Sequence, residues 1–387
     1  MSTQTPTPVT ISKTAKEIGH YPIAELLEKK VELQKKGIRI FDFGAGDDGL
    51  PIDTVISGAL KTKLSDTSKY PLVRGTEDLR SAIINYLNRR FSIDLDLDQI
   101  LPVTGSKEGI YHLPALVIDH ESARRKVLGP ALAYPPYIKG TQAVNGEYVP
   151  LQGGKDQNYL IELSAVDPKI LSTTALVYLN YPHNPTGAGC DLEYLKRQVD
   201  VAKEYGILLV SDECYADIYF GSPPPSILEV TTSNVLAFHS LSKRSGMTGY
   251  RSGFVAGDSA FINGYARLRN AIGTALPAPI DIASIAAWSD DRHVEQRRLV
   301  FSAIRERFLQ FLNEIELEYL DTDASFYVWA KAPSGETGKS YAEKLRAKGI
   351  FVAPADYFGP GSPEWFRISL VLTIKECEEA FSVWREV

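Results

Sequence analysis

The chain has 387 residues, 44% hydrophobic and 23% charged, with a net charge of −6, the profile of an ordinary globular protein long enough for two domains. That modest charge without a basic patch excludes a nucleic-acid partner, and no run of about eighteen apolar residues exists to span a membrane. Cys190, Cys214 and Cys377 form neither an even set nor a CxxC pair, so no disulfide scaffold or structural zinc is expected; with a polar start that lacks a secretory signal, a reducing cytoplasmic setting fits.

Residues 1–10 read as a loose arm rich in Thr and Pro, and the 3.6 spacing of apolar residues predicts a helix over 22–36. A short strand from Ile38 to Phe43 runs into Gly44-Ala45-Gly46. Those glycines permit a close backbone approach to a ligand, although a plain turn has the same sequence. Helices follow over 53–63 and 76–90, with Tyr70-Pro-Leu-Val-Arg-Gly75 between them. Ile100 to Thr104 then leads into Gly105-Ser106-Lys107-Glu108-Gly109 and an apolar stretch. This is strand, glycine turn and helix, and the free N–H groups of a helix start favour an anion such as phosphate. The spacing matches neither a Walker motif nor GxGxxG.

From Lys126 onward strands and helices alternate. Val127-Leu128 starts a strand, and the turn around Ala133-Tyr134-Pro135-Pro136-Tyr137 precedes a helix. Thr174 to Asn180 is a buried-type strand, followed by the turn cluster Tyr181-Pro-His-Asn-Pro-Thr-Gly187. Asp191 is a candidate N-cap for a helix reaching Tyr205. Ile207 to Ser211, Val235 to Phe238 and Ser252 to Ala256 are further strands. This alternation predicts an α/β fold, a mostly parallel sheet between helices, whose ligands gather at the carboxyl ends of the strands. Asn184, Asp212 and Lys243 all follow strand-like runs and so can converge.

Lys243 lies among Ser240, Ser242, Ser245, Gly246 and Gly249, with Arg251 eight positions on. A nucleophilic amine needs a protected pocket, and hydroxyls beside an arginine suit a phosphate. A solvated loop with an ordinary Lys-Arg pair remains the competing reading. Helices are predicted over 260–273 and 281–315. Beyond Glu316 short strands (325–331, 350–353, 365–372) mix with helices over 338–348 and 374–386, a smaller α+β unit. Its last strand holds Arg367 among apolar residues, which requires an anionic partner, either within the protein or in a ligand.

Asn184-Pro-Thr-Gly187, Asp212-Glu-Cys-Tyr215, Ser240-Leu-Ser-Lys243 with Arg251, and Arg367, in this order and spacing, resemble the class I/II aminotransferases, pyridoxal 5'-phosphate enzymes of fold type I. The resemblance covers the chain from about Ile38 to its end. It implies a seven-stranded sheet in the large domain, with an arm over 1–48, the large domain over 49–285 and a small α+β domain over 286–387. It also implies transfer of an amino group between an amino acid and a 2-oxo acid by a ping-pong mechanism. Lys243 would form the Schiff base and carry the proton, and Asp212 would face the pyridine nitrogen. Tyr215 and Asn184 would bond the phenolic oxygen, and Tyr134 would stack on the ring. Gly105, Ser106, Lys107, Ser240, Ser242 and Arg251 would hold the phosphate. Arg367, with Asn184 and the backbone around Gly44 and Ala45, would bind the substrate carboxylate. Tyr70 would reach the phosphate in a neighbouring subunit, which implies a homodimer with shared active sites.

The run from Ser242 to Asp258 is similar to the succinyldiaminopimelate and LL-diaminopimelate branch, although Gly246 stands where asparagine is frequent, and broad-specificity aromatic or alanine/glutamate aminotransferases share most of the same signature. A lyase or synthase of the same fold, such as a C–S lyase or a cyclising enzyme, shares the signature. So does a non-catalytic cofactor-binding module, which the joint presence of Lys243 and Arg367 disfavours. The side-chain pocket is expected to draw on His20, Tyr21, Arg74, Tyr111 and Tyr137. Cys214, His183 and His239 are expected to pack and not to react.

Overall fold

The computed structural model describes residues 9–12, 15–16, 22–62, 69–119 and 121–387. Its strands are β1 (Phe41–Asp42), β2 (Ile100–Val103), β3 (Lys126–Pro130), β4 (Glu147–Leu151), β5 (Thr174–Leu179), β6 (Leu208–Asp212), β7 (Val235–Ser240), β8 (Gly253–Gly257), β9 (Tyr319–Leu320), β10 (Tyr327–Lys331), β11 (Ile350–Phe351), β12 (Ala353–Pro354) and β13 (Trp365–Ser369). Seven of them form one sheet in the order β2-β8-β7-β6-β5-β3-β4. β3 pairs parallel with β4 and β5, and β6 pairs parallel with β5 and β7; β8 runs antiparallel to both its neighbours. The α/β reading with a mostly parallel seven-stranded sheet therefore holds.

Apolar residues on both faces explain why the sheet lies in the middle. Val177, Leu179, Leu209 and Ala237 pack into one core, whereas Leu176, Tyr178, Leu208, Val210, Leu236 and Phe238 pack into another on the opposite face. Successive strand side chains point to opposite faces, so a fully apolar strand needs a cover on each side. Helix Leu192–Tyr205 is one cover; Asp191 caps it by accepting from Tyr194 N at 2.7 Å, as its sequence predicts.

A second sheet, β12-β13-β10-β9, is antiparallel, and β1 pairs parallel with β11. Helices Arg292–Glu314 and Ile374–Trp384 cover a separate core built around Phe308, Phe311, Phe366 and Phe381. Some expected elements differ. The single helix over 281–315 is two helices, Ala278–Ser289 and Arg292–Glu314, because Asp290 leaves helical geometry and its carboxylate accepts from His293 N at 2.9 Å. The strand expected over 38–43 pairs only at Phe41–Asp42, and that over 350–353 is interrupted between β11 and β12. The edge strand β4 is new; it is half-exposed, and Glu147 and Pro150 interrupt the apolar run that marks the interior strands. Among the described residues no helix is long and apolar enough to cross a membrane.

Candidate active site

The carboxyl ends of β5, β6 and β7 deliver Asn180, Asp212 and Ser240 to one cavity of about 450 Å³. This is where ligands of such sheets collect. Ser106, Lys107, Tyr134, Asn184, Tyr215, Ser242, Lys243, Arg251 and Arg367 line it as well. Residues separated by more than two hundred positions thus share one wall.

At its centre, the four-residue helix Leu241–Arg244 holds Lys243, and Ser240 caps that helix by accepting from Ser242 N at 3.2 Å. Lys243 Nζ donates to the carbonyl of Gly46. Asp212 is buried; the Tyr137 hydroxyl donates to its Oδ2 at 2.7 Å and the Cys214 N–H to its Oδ1 at 3.4 Å. Burial pushes its carboxyl up, and the hydrogen bonds from Cys214 and Tyr137 offset this only in part. Asn180 Nδ2 donates to the Asp212 carbonyl at 2.9 Å and fixes the backbone there.

One end of the cavity is cationic. Arg251, itself in the left-handed region with φ 56°, donates to the carbonyls of Thr248 at 2.9 Å and Thr104 at 3.4 Å. Gly105 has φ +84°, and a Cβ there would run into the Arg251 guanidinium, so only glycine lets the two meet. Lys107 is lowered by burial and then by Arg251. Ser106 Oγ, at the start of helix Ser106–His112, accepts from the Cys214 thiol at 3.0 Å.

Arg367 forms the opposite pole and is 5% exposed. Its Nη1 donates to Asn184 Oδ1 and its Nη2 to the Gly44 carbonyl, both at 2.7 Å, while its buried Nε has no hydrogen-bond partner among the described residues. A buried guanidinium served only by neutral acceptors calls for an anion. The Gly44 loop is held by Asp42 Oδ1, which accepts from Gly44 N and Ala45 N at 3.1 and 3.2 Å. Asp48 pairs with Arg297 at 2.8 Å through both carboxylate oxygens.

Gly44, Ala45 and Gly105 are not themselves among the lining residues, and Tyr70 is fully exposed on the single chain. The expected side-chain pocket needs correction. Arg74 pairs with Asn263, Tyr111 does not line the cavity, and Tyr137 is buried behind Asp212, stacked 4.5 Å from Tyr178. His20 and Tyr21 lie outside the described residues. His183 is satisfied by Thr186 Oγ1 at 2.8 Å and the Leu132 carbonyl at 3.0 Å, and His239 packs 4.9 Å from Phe254. Cys214 does reach the cavity, but burial and Asp212 push its thiol well up, which leaves it a poor nucleophile.

Sequence reasoning missed Asn180, Thr248 and Tyr327 as lining residues. Asn180 could have been found as a polar residue ending an apolar strand. Tyr327 sits in an apolar strand, where a tyrosine looks like packing.

Pyridoxal phosphate fits this donor set. It needs cations and hydroxyls for its phosphate, a carboxylate for its ring nitrogen and an amine for its aldehyde. The cavity offers Lys107, Arg251 and serines, then Asp212, which has no cation bonded to it among the described residues, then Lys243.

The profile of the family Aminotransferase class I and II matches residues 39–383. The chain belongs to this family. It is therefore a pyridoxal-phosphate-dependent aminotransferase acting on amino acids and 2-oxo acids. The LL-diaminopimelate aminotransferase of Aquifex aeolicus is 33% identical over 377 residues, covering 95% of this chain and 97% of that relative. The one from Dehalococcoides mccartyi is 31% identical, covering 96% and 97%. Among solved structures, an aminotransferase from Neisseria meningitidis superposes with TM-score 0.88 at 31% identity, covering 97% of this chain and 99% of that one. Substrate-bound BacF from Bacillus subtilis gives 0.93 at 25%, covering 98% of each.

Proposed function

We propose that this aminotransferase takes a diaminopimelate-type substrate, with the roles of its residues as follows. The carrying observation is that Lys243, the buried and ionically unmatched Asp212, and Arg367 with its unpartnered Nε share one cavity. Bound there, the cofactor supplies an electron sink for the charge left when the substrate Cα loses its proton. Lys243 Nζ anchors the cofactor and, once displaced by the amino acid, carries the Cα proton. Asp212 would hold a proton on the ring nitrogen, its carboxylate offering the counter-charge there. Tyr134 would cover the ring, Tyr215 and Asn184 would bond its phenolic oxygen, and Ser106, Lys107, Ser240, Ser242 and Arg251 would hold the phosphate. Arg367 grips the substrate α-carboxylate in a bidentate fork.

The diaminopimelate branch is supported by the names of the relatives and by the run after Lys243. A homodimer is part of the same reading: Tyr70 and Leu72 are 101% and 64% exposed, side chains that a partner subunit would cover. So are a cytoplasmic location and the division into an arm (1–48), a large domain (49–285) and a small domain (286–387); two separate cores support two domains, although the helix Ala278–Ser289 crosses the second boundary and its Trp288 packs in the large-domain core.

The test is a single half-reaction. With an amino donor alone, the purified enzyme should convert its bound cofactor to the pyridoxamine form and release the 2-oxo acid. Diaminopimelate should outrun glutamate, aromatic amino acids and alanine. Release of ammonia without conversion of the cofactor would sink the transfer reading, and an equal rate with every donor would sink the branch. Lys243→Ala should lose the visible band of the linked cofactor and all measurable turnover; a retained band would reassign the lysine.

A further inference from the structure

Tyr327 lines the cavity from β10 of the smaller sheet. Its hydroxyl lies 2.9 Å from the Tyr215 hydroxyl, and both tyrosines are buried, 3% and 6% exposed. Its ring lies 4.2 Å from the Arg367 guanidinium carbon. The backbone leaves space for this approach: a Cβ on residue 46 would sit 2.8 Å from the Tyr327 oxygen, so glycine is needed there. One residue therefore touches both the phenol expected to face the cofactor oxygen and the arginine expected to hold the substrate.

A phenol has one proton to give and two lone pairs. If Tyr215 spends its proton on an acceptor in the cavity, the 2.9 Å contact is satisfied only with Tyr327 donating. A donor whose oxygen accepts a second hydrogen bond is polarised and donates more strongly. Burial, and then the neighbouring Tyr327, push the Tyr215 phenol well above its ordinary value, so it keeps the proton it donates.

We propose that Tyr327 is a positioning residue for the amino transfer. Its hydroxyl donates to Tyr215 and strengthens the bond Tyr215 gives the cofactor's ring oxygen, while its ring props Arg367 for the substrate carboxylate. This rests on the reading that Tyr215 faces that oxygen.

The measurement is a pH titration of the visible absorbance of the cofactor-loaded enzyme, beside KM for the amino donor. Charge that the tyrosines draw from the ring oxygen no longer helps hold a proton at Lys243 Nζ, so losing a donor raises the midpoint. Tyr327→Phe should raise it by about 0.5–1 pH unit, the effect of one hydrogen bond of ordinary net strength. KM should stay within about twofold, because the ring remains under Arg367. Tyr327→Leu should give the same midpoint and also raise KM about five- to tenfold. Tyr215→Phe should raise the midpoint further, and adding Tyr327→Phe to it should change nothing more, since the relay is already broken. A midpoint that moves in Tyr215→Phe but not in Tyr327→Phe overturns the inference, as do additive shifts in the double variant. A midpoint unmoved by Tyr215→Phe overturns the placement of Tyr215 and the inference together.

Discussion

Asp212 ends β6 and Asp217 follows five residues later, and both are buried, yet they carry opposite electrostatics. Burial would raise Asp217, but Arg244 and then Arg90 outweigh it and hold the carboxyl below its ordinary value. Arg244 Nε bonds it at 2.9 Å, Arg90 Nε at 3.1 Å and the Tyr86 hydroxyl at 2.8 Å. Asp212 has no cation bonded to it among the described residues and stays raised. The arginines divide in the same way. Arg244 is paired with Asp217 and Asp291, whereas among the described residues Arg367 donates to an amide and a carbonyl oxygen and to no carboxylate. Desolvating an ion costs several kcal/mol, by order of magnitude, unless a partner offsets it. A charge matched inside the chain holds the fold together. A charge left unmatched at a cavity wall is matched by what binds there.

The comparison predicts opposite outcomes for matched substitutions. Asp212→Asn should cut transamination by about 10³-fold, because the ring nitrogen loses its counter-charge. The cofactor-free protein should not lose stability. A carboxyl raised by folding burdens the fold once ionised at neutral pH, and the amide removes that burden. A clear loss in the denaturation midpoint would show that Asp212 is a structural ion like its neighbour. Asp217→Asn should do the reverse. Leaving Arg244 and Arg90 without their carboxylate should cost about 3–5 kcal/mol in urea unfolding, with turnover per folded molecule within a few-fold. A turnover defect in a protein of normal stability would break the contrast.

His183 sharpens the matched side. Burial lowers it to about 4 from 6.5, so the fold keeps it neutral while the unfolded chain protonates. Its contribution is complete above pH 6.5 and is lost as pH falls to about 4, on the order of 3 kcal/mol in all. His183→Gln should flatten that part of the pH–stability curve. An unchanged acid limb would mean that the imidazole opens to water before it titrates.

Legibility followed locality. Asp191 as a cap and the interior strands β5, β6 and β7 were readable because caps and apolar runs are local signals. Lys243, Asp212, Arg251 and Arg367 were readable because each sits in a motif with its own spacing, and the cavity gathers all four. The half-exposed edge strand β4, broken by a proline, and the break at Asp290 were not, since a short interrupted run and a two-residue interruption barely alter hydrophobic periodicity. Tyr137, expected near the side-chain pocket, supports Asp212 from behind, a placement that nothing in its local sequence encodes.

The sequence by itself determined the α/β architecture, the family signature and which side chains carry charge or a nucleophilic amine. Only the tertiary structure decided which charges are matched. Pairing depends on distances of a few ångströms between residues far apart in the chain, as between Asp217 and Arg90, or Arg367 and Gly44. The same holds for the tyrosine pair. Tyr215 follows β6 and Tyr327 begins β10, and only the packing of the smaller sheet against the larger brings their hydroxyls within a hydrogen bond.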